Sequence, residues 1–128
     1  MKAPVRLLIA DDHPIVRAGF EGMLAEKSDL KVPGEAENGE EAVHLAALLR
    51  PYVILMDLRM PEMDGVEAIS RIKEDHPHVH VLTTYDSDAD ILRAIEAGAT
   101  SYLLKDAPRE ELFRAIRAAR GELVLPRP

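Results

Sequence analysis

Asp11, Asp12, Asp57 and Lys105 stand where apolar runs end, and their residue types suit one kind of chemistry. Asp11 and Asp12 follow Val5-Arg6-Leu7-Leu8-Ile9-Ala10, Asp57 follows Val53-Ile54-Leu55-Met56, and Lys105 follows Tyr102-Leu103-Leu104. A charged residue at the end of a buried strand faces a cleft, because an unpaired charge in the core is too costly. Carboxylates gathered in one cleft repel each other, and a single lysine does not neutralise them. The set therefore predicts a hard divalent cation, Mg²⁺, which favours oxygen ligands and retains several waters. A carboxylate, Mg²⁺ and a lysine are also the groups needed to accept a phosphoryl group.

Alternating elements are needed to bring these residues together. Val5–Ala10 reads as a first strand, and Pro14 opens a helix whose apolar face is Ile15, Val16, Phe20, Met23 and Leu24. Leu30–Ala36 reads as a second strand. Pro33 inside it cannot donate to a ladder, which predicts an edge position or a bulge. Asn38-Gly39 marks a turn before a helix over Glu40–Leu49, and Tyr52–Met56 is a third strand, apolar enough to be buried on both faces. Asp64-Gly65 starts a helix that runs to about Asp75. Val79–Thr83 is the fourth strand, a helix capped by Asp86, Ser87 or Asp88 ends at Gly98, and Ala99–Leu104 is the fifth strand. Pro108 lies in the first turn of the last helix, and Gly121 follows its end. Repeated β/α units of this kind imply an α/β fold: a doubly wound parallel sheet with helices on both faces.

The composition narrows the function classes. At 128 residues the chain suits one domain with a single sizeable core, and 47% hydrophobic with 30% charged residues is ordinary for a globular protein. A net charge of −7 argues against direct contact with nucleic acid, which requires a basic footprint. The absence of cysteine excludes disulfides and thiolate metal sites and agrees with a cytoplasmic location. No apolar run reaches the roughly 18 residues of a membrane span. The tail Leu123-Val124-Leu125-Pro126-Arg127-Pro128 reads as the start of a linker.

With these elements placed, the chain resembles the receiver domain of bacterial two-component response regulators over essentially its whole length. The resemblance rests on Ala10-Asp11-Asp12-His13-Pro14, Leu55 to Gly65, Val81-Leu82-Thr83-Thr84-Tyr85-Asp86, and Gly98 to Asp106. The motifs are most similar to those of the LuxR-type (NarL/FixJ) branch. The resemblance implies a flavodoxin-like fold, five strands in the order 2-1-3-4-5 and five helices, with ligands bound at the switch point between strands one and three. It places a receiver domain at residues 1–121 and the linker at 122–128, leading to an output domain outside this chain.

The resemblance also implies roles. Asp57 is the phosphoacceptor, and its donor is a phosphohistidine on a sensor histidine kinase. Asp12 and Asp57 ligate Mg²⁺ with the backbone carbonyl of Arg59, and Asp11 acts through a bound water. Lys105 pairs with Asp57 and then with a phosphoryl oxygen. Thr83 is the switch hydroxyl, with Thr84 the competing candidate whose spacing from Lys105 fits the family less well, and Tyr102 is the aromatic that accompanies it inward. Arg59 and Tyr85 line the path of water to the acyl phosphate, and their bulk implies slow autodephosphorylation. The lysine is followed by Asp106 rather than proline, as in the LuxR-type branch, so no cis bond is expected at Lys105-Asp106. Transcription is controlled through a C-terminal helix-turn-helix domain, the only route to DNA, with homodimerisation on phosphorylation. Membranes take no part, and the chain is a regulatory phosphoacceptor rather than an enzyme.

Other readings are weaker. A stand-alone receiver acting by protein binding shares every site residue and differs only in the chain after Pro128. An aspartate-nucleophile phosphatase of the haloacid dehalogenase type needs a second Asp two residues after its nucleophile, where Arg59 stands here. A dinucleotide site lacks its G-x-G-x-x-G fingerprint. A receiver that signals without phosphate would not need the complete set Asp11, Asp12, Asp57, Thr83 and Lys105. His76, His78 and His80 alternate and could face one side of an extended segment, but a solvated loop explains them better. His13 lies on the rim of the site with no assigned chemistry. Arg17, Glu21 and Glu26 on the first helix, and Arg109 to Arg120 on the last, read mainly as solvated faces.

Overall fold

The computed structural model describes residues 4–58, 60, 62–72, 79–83, 88–99, 101–104 and 108–119, with only the backbone described for 79–83, 88–91, 101–104 and 119. Strands and helices alternate: β1 (Val5–Ala10), α1 (Pro14–Ala25), β2 (Leu30–Ala36), α2 (Gly39–Leu49), β3 (Val53–Asp57), α3 (Gly65–Ile72), β4 (Val79–Thr83), α4 (Asp88–Ala97), β5 (Ser101–Leu104) and α5 (Arg109–Ala119). The strands pair in parallel in the spatial order β2-β1-β3-β4-β5. Among the described residues, no helix is long and apolar enough to cross a membrane.

The core has two layers because strand side chains alternate between faces. Val5, Leu7 and Ile9 of β1 and Val53 and Leu55 of β3 join Phe20 and Leu24 of α1 and Leu112, Phe113 and Ile116 of α5. Leu8 and Ala10, with Ile54 and Met56, face the other way and pack with α2, α3 and α4 through Ala42, Ala46, Ala68, Ile69, Ile72 and Ala94. Leu7, Leu8 and Ile9 are fully buried. Each such side chain contributes about 1.5–3 kcal/mol relative to exposure. Small residues on the second face let the helices approach the sheet closely.

Local sequence explains most element ends. β2 lies at the sheet edge, and its register against β1 shifts between Arg6 and Leu8, where Val32 and Pro33 have no partner. This is the irregularity that an exposed Pro33 imposes. Pro14 occupies the first turn of α1. Gly98 has φ 120°, a left-handed conformation that glycine adopts without penalty, and it ends α4. Asn38-Gly39 is not a free turn: Asn38 caps α2, its side chain accepting from the Glu41 N–H at 2.7 Å, and Gly39 is the first helical residue. Asn is a strong N-cap, so the turn and the helix start coincide. β3 runs one residue later than its apolar run, with Asp57 as its last residue rather than the residue after it. β5 begins at Ser101 rather than Ala99, and α5 begins just after Pro108. There is no cis peptide among the described residues, and Lys105-Asp106 lies outside them.

The junction of β3 and α3 is closed tightly. The Gly65 N–H donates to the Leu58 carbonyl at 3.0 Å. A Cβ on Gly65 would collide with the Asp57 carbonyl oxygen and stand 2.7 Å from Leu58 Cα. Those are backbone atoms, so the junction itself would have to move. Gly19, inside α1, has open space at the same position. Gly65→Ala is expected to lower stability by about 1–3 kcal/mol through overpacking. Gly19→Ala is expected to raise it by about 0.5–1 kcal/mol through helix propensity. Urea denaturation of the two variants checks both signs.

Candidate functional site

Register brings the acidic residues together. Ala10 pairs with Met56 across β1 and β3, so the next residues, Asp11 and Asp57, fall side by side at the carboxyl ends of neighbouring parallel strands. The spacing of such strands is about 4.8 Å. Alternation turns both aspartates toward the face that carries Ile9 and Leu55, one step past the last apolar layer. Asp11 and Asp57 are 2% and 5% exposed. They are the only buried charged residues among those described.

The turn after β1 fixes the remaining members. The Asp11 N–H donates to the Ala36 carbonyl at 2.9 Å, extending the ladder one residue past β1. The His13 N–H then donates to Asp11 Oδ1 at 2.9 Å, an Asx-turn that reverses the chain into α1. His13 Nδ1 lies 3.2 Å from Asp11 Oδ1 and 3.0 Å from Asp12 Oδ1. Asp11, Asp12, His13 and Asp57 each offer a ligand atom, and these atoms lie within 4.8 Å of one another.

Asp12 Oδ1 provides the test of whether a cation fits. It is sealed from solvent and accepts no hydrogen bond, since the approach of His13 Nδ1 has ion-pair distance without hydrogen-bond alignment. A buried carboxylate oxygen with no donor is costly. It is well suited to a metal ion, and the surrounding carboxylates supply the oxygen-rich set that a hard divalent cation prefers. The described residues therefore fit Mg²⁺.

Arg17 anchors the turn from the side. Its Nη1 donates to the Asp11 carbonyl at 2.6 Å, and its Nε lies 3.3 Å from Glu35 Oε1 on β2. One guanidinium thus ties the end of β1 to the edge strand. Glu35 holds its proton more tightly than an ordinary glutamate. The main cause is a hydrogen bond shared with Glu21, followed by burial and the Glu21 charge, and Arg17 opposes the shift.

Of the residues expected to act here, Asp11, Asp12 and Asp57 meet in one cluster. Thr83 ends β4 one step beyond Leu82, the partner of Asp57, and Tyr102 pairs with Val81, but their side chains are not described. Arg59, Tyr85 and Lys105 lie outside the described residues, as do His76 and His78, and only the backbone of His80 is described. Sequence reasoning missed the parts played by His13 and Arg17. The pattern Asp-x-His before Pro14 is an Asx-turn signal, so the bond from His13 to Asp11 was recoverable. Arg17 lies one helical turn after His13, which places it near the turn without naming its partner.

The raised Glu35 pKa gives a pH dependence. Because folding raises the Glu35 pKa, the pair's contribution to stability is complete below the ordinary value of 4.5 and is lost as pH rises through the raised value. Glu21→Gln removes the repulsion. It is expected to increase stability at about pH 7 and leave it unchanged at about pH 4, as read from urea midpoints at both pH values.

Comparison with known proteins agrees with this geometry. The family model described as the response regulator receiver domain matches residues 7–117. The chain is 48% identical over 122 residues to the transcriptional regulatory protein YdfI of Bacillus subtilis, covering 94% of this chain and 57% of that protein. It is 43% identical over 123 residues to the response regulator protein VraR of Staphylococcus aureus, covering 94% and 59%. Among solved structures, a two-component response regulator of the LuxR family from Aurantimonas sp. SI85-9A1 superposes with TM-score 0.85 at 32% identity, covering 93% of this chain and 87% of that one. The chain spans a little under three fifths of the length of these curated relatives.

Proposed function

Since the chain belongs to the response regulator receiver domain family, we propose that it accepts a phosphoryl group on Asp57 and passes the resulting change of shape to a DNA-binding output domain. The observation that carries this reading is the cluster of Asp11, Asp12 and Asp57, in which Asp12 Oδ1 is sealed from solvent and accepts no hydrogen bond. Asp12 and Asp57, with the backbone carbonyl of Arg59, hold Mg²⁺, and Asp11 assists through water. The cation supplies neutralisation of the carboxylates and of the charge on the incoming phosphoryl oxygens.

The protein's own groups do the rest. An Asp57 carboxylate oxygen attacks the phosphorus of a phosphohistidine on a sensor histidine kinase. The new O–P bond forms as the N–P bond breaks, and the electron pair leaves on the imidazole nitrogen, which takes up a proton. Lys105 pairs with a phosphoryl oxygen. Burial at the strand end excludes bulk water from Asp57, which strengthens each of these interactions. Thr83 donates to the phosphoryl group and Tyr102 moves inward with it, so phosphorylation favours one of two conformations of the surface around α4, β5 and α5.

The likeness to proteins named as transcriptional regulators supports transcription as the output. In this reading the receiver occupies residues 1–121, residues 122–128 begin a linker, and a helix-turn-helix domain lies after it. The protein is cytoplasmic, dimerises on phosphorylation, and is regulatory rather than enzymatic. Intact mass after incubation with acetyl phosphate tests the central step. One added phosphoryl group that requires Mg²⁺ and disappears in Asp57→Asn is expected. A phosphoryl group that persists in Asp57→Asn, or none in the wild type with either acetyl phosphate or a cognate kinase, refutes the assignment.

A further inference from the structure

Asp11 is held at its N–H, its carboxylate and its carbonyl. The N–H donates to the Ala36 carbonyl at 2.9 Å, Oδ1 accepts from the His13 N–H at 2.9 Å, and the carbonyl accepts from Arg17 Nη1 at 2.6 Å. The first two bonds use backbone groups of Ala36 and His13, which nearly any sequence supplies. The third uses a side chain, so the identity of residue 17 decides it. A peptide unit is planar, and the Asp11 carbonyl shares its plane with the N–H and Cα of Asp12. Whatever fixes that carbonyl also fixes the direction in which Asp12 leaves β1. Asp12 Oδ1 accepts no hydrogen bond, so the backbone that carries it sets its place in the cluster.

Arg17 suits this task. It lies one turn into α1, where its N–H donates to the His13 carbonyl at 3.0 Å. Its side chain is only 16% exposed, and its Nε lies 3.3 Å from Glu35 Oε1 on β2 while Nη1 reaches Asp11. A planar guanidinium engages both groups at once, and charge-assisted bonds of this kind are short and strong. Its positive charge repels a cation held nearby, so a through-space effect and a positioning effect on Mg²⁺ have opposite signs.

We infer that Arg17 is a positioning residue for phosphoryl acceptance: by tying the Asp11 carbonyl to Glu35, it keeps the Asp11–Asp12 peptide in the orientation that delivers the Asp12 carboxylate to the cluster. It acts through Asp12 rather than on the reacting atoms. The inference rests on the phosphoacceptor reading and deepens it.

The test compares the wild type with Arg17→Met, which removes charge and donors, and Arg17→Lys, which keeps the charge but not the fork. Calorimetric titration with Mg²⁺, at a pH well above the carboxylate range, gives the affinity, and amide hydrogen exchange of the metal-free proteins reports on the turn. Losing an outer partner of a metal ligand typically costs about 10–100-fold in affinity. Arg17→Met is therefore expected to weaken Mg²⁺ binding about tenfold or more, and Arg17→Lys to weaken it by less. In both variants the amides of Asp11 and His13, which the bonds of the turn protect, are expected to exchange faster, while those of Leu7, Leu8 and Ile9 keep their protection. Arg17→Lys decides the matter alone if Arg17→Met does not fold. Mg²⁺ binding as tight as in the wild type, or tighter, in either folded variant overturns the inference. So does a loss of protection that spreads through β1, which marks a structural role only. A wild type that binds Mg²⁺ but accepts no phosphoryl group overturns the phosphoacceptor reading and leaves the placement of Asp12 by Arg17 standing, whereas one that binds no Mg²⁺ overturns both.

Discussion

Mutual repulsion among Asp11, Asp12 and Asp57 is the constraint around which the carboxyl end of this sheet is arranged. Charges of like sign repel more strongly near a protein surface than in bulk water, because the effective dielectric constant is lower there. The ligand atoms of the cluster lie within 4.8 Å of one another. The cluster can exist because strand register enforces it from below. Moving Asp11 away from Asp57 would require β1 to slip against β3, and a slip by one residue would turn Leu7 and Ile9 out of one core and Leu8 out of the other.

The same constraint gives meaning to the polar groups around the cluster. The His13 N–H and the Arg17 guanidinium both approach Asp11, one at its side chain and one at its carbonyl. Arg17 reaches on to Glu35, so the edge strand shares in holding the turn. Glu35 in turn holds its proton more tightly than usual because of its hydrogen bond with Glu21. Compensation is therefore graded. Backbone and arginine donors serve Asp11, the most buried member, and the oxygen of Asp12 left without a donor is the one that best suits a cation.

Much of this was legible in the sequence, for identifiable reasons. Strand alternation, Pro14 at a helix start, Pro33 at an irregular edge and Gly98 at a helix end are each dictated by backbone geometry that few other residues tolerate. The aspartates could be placed because a charge has few options at the end of a buried strand. Asn38-Gly39 was harder, since the same pair serves a turn or an N-cap, and only the packing of α2 decides. His13 and Arg17 resemble rim and solvated face in sequence, because a polar side chain that bonds to nearby backbone and carboxylate groups leaves no apolar signature. Arg17 is also polar on an otherwise ordinary amphipathic helix, and nothing in its spacing shows that its partner is a carbonyl.

The position of the cluster also explains how a local change of charge could act at a distance. Asp57 is the last residue of β3 and pairs with Leu82 of β4, and Thr83, the next residue, pairs with Leu104 of β5. One backbone step therefore separates the acidic site from each strand on that side of the sheet. Closely packed interiors do not deform continuously, and they respond by exchanging one packing for another. Under the proposed function, a sheet end that gathers like charges would undergo a large electrostatic change on taking up a cation and a phosphoryl group. That change would act on two strands at once.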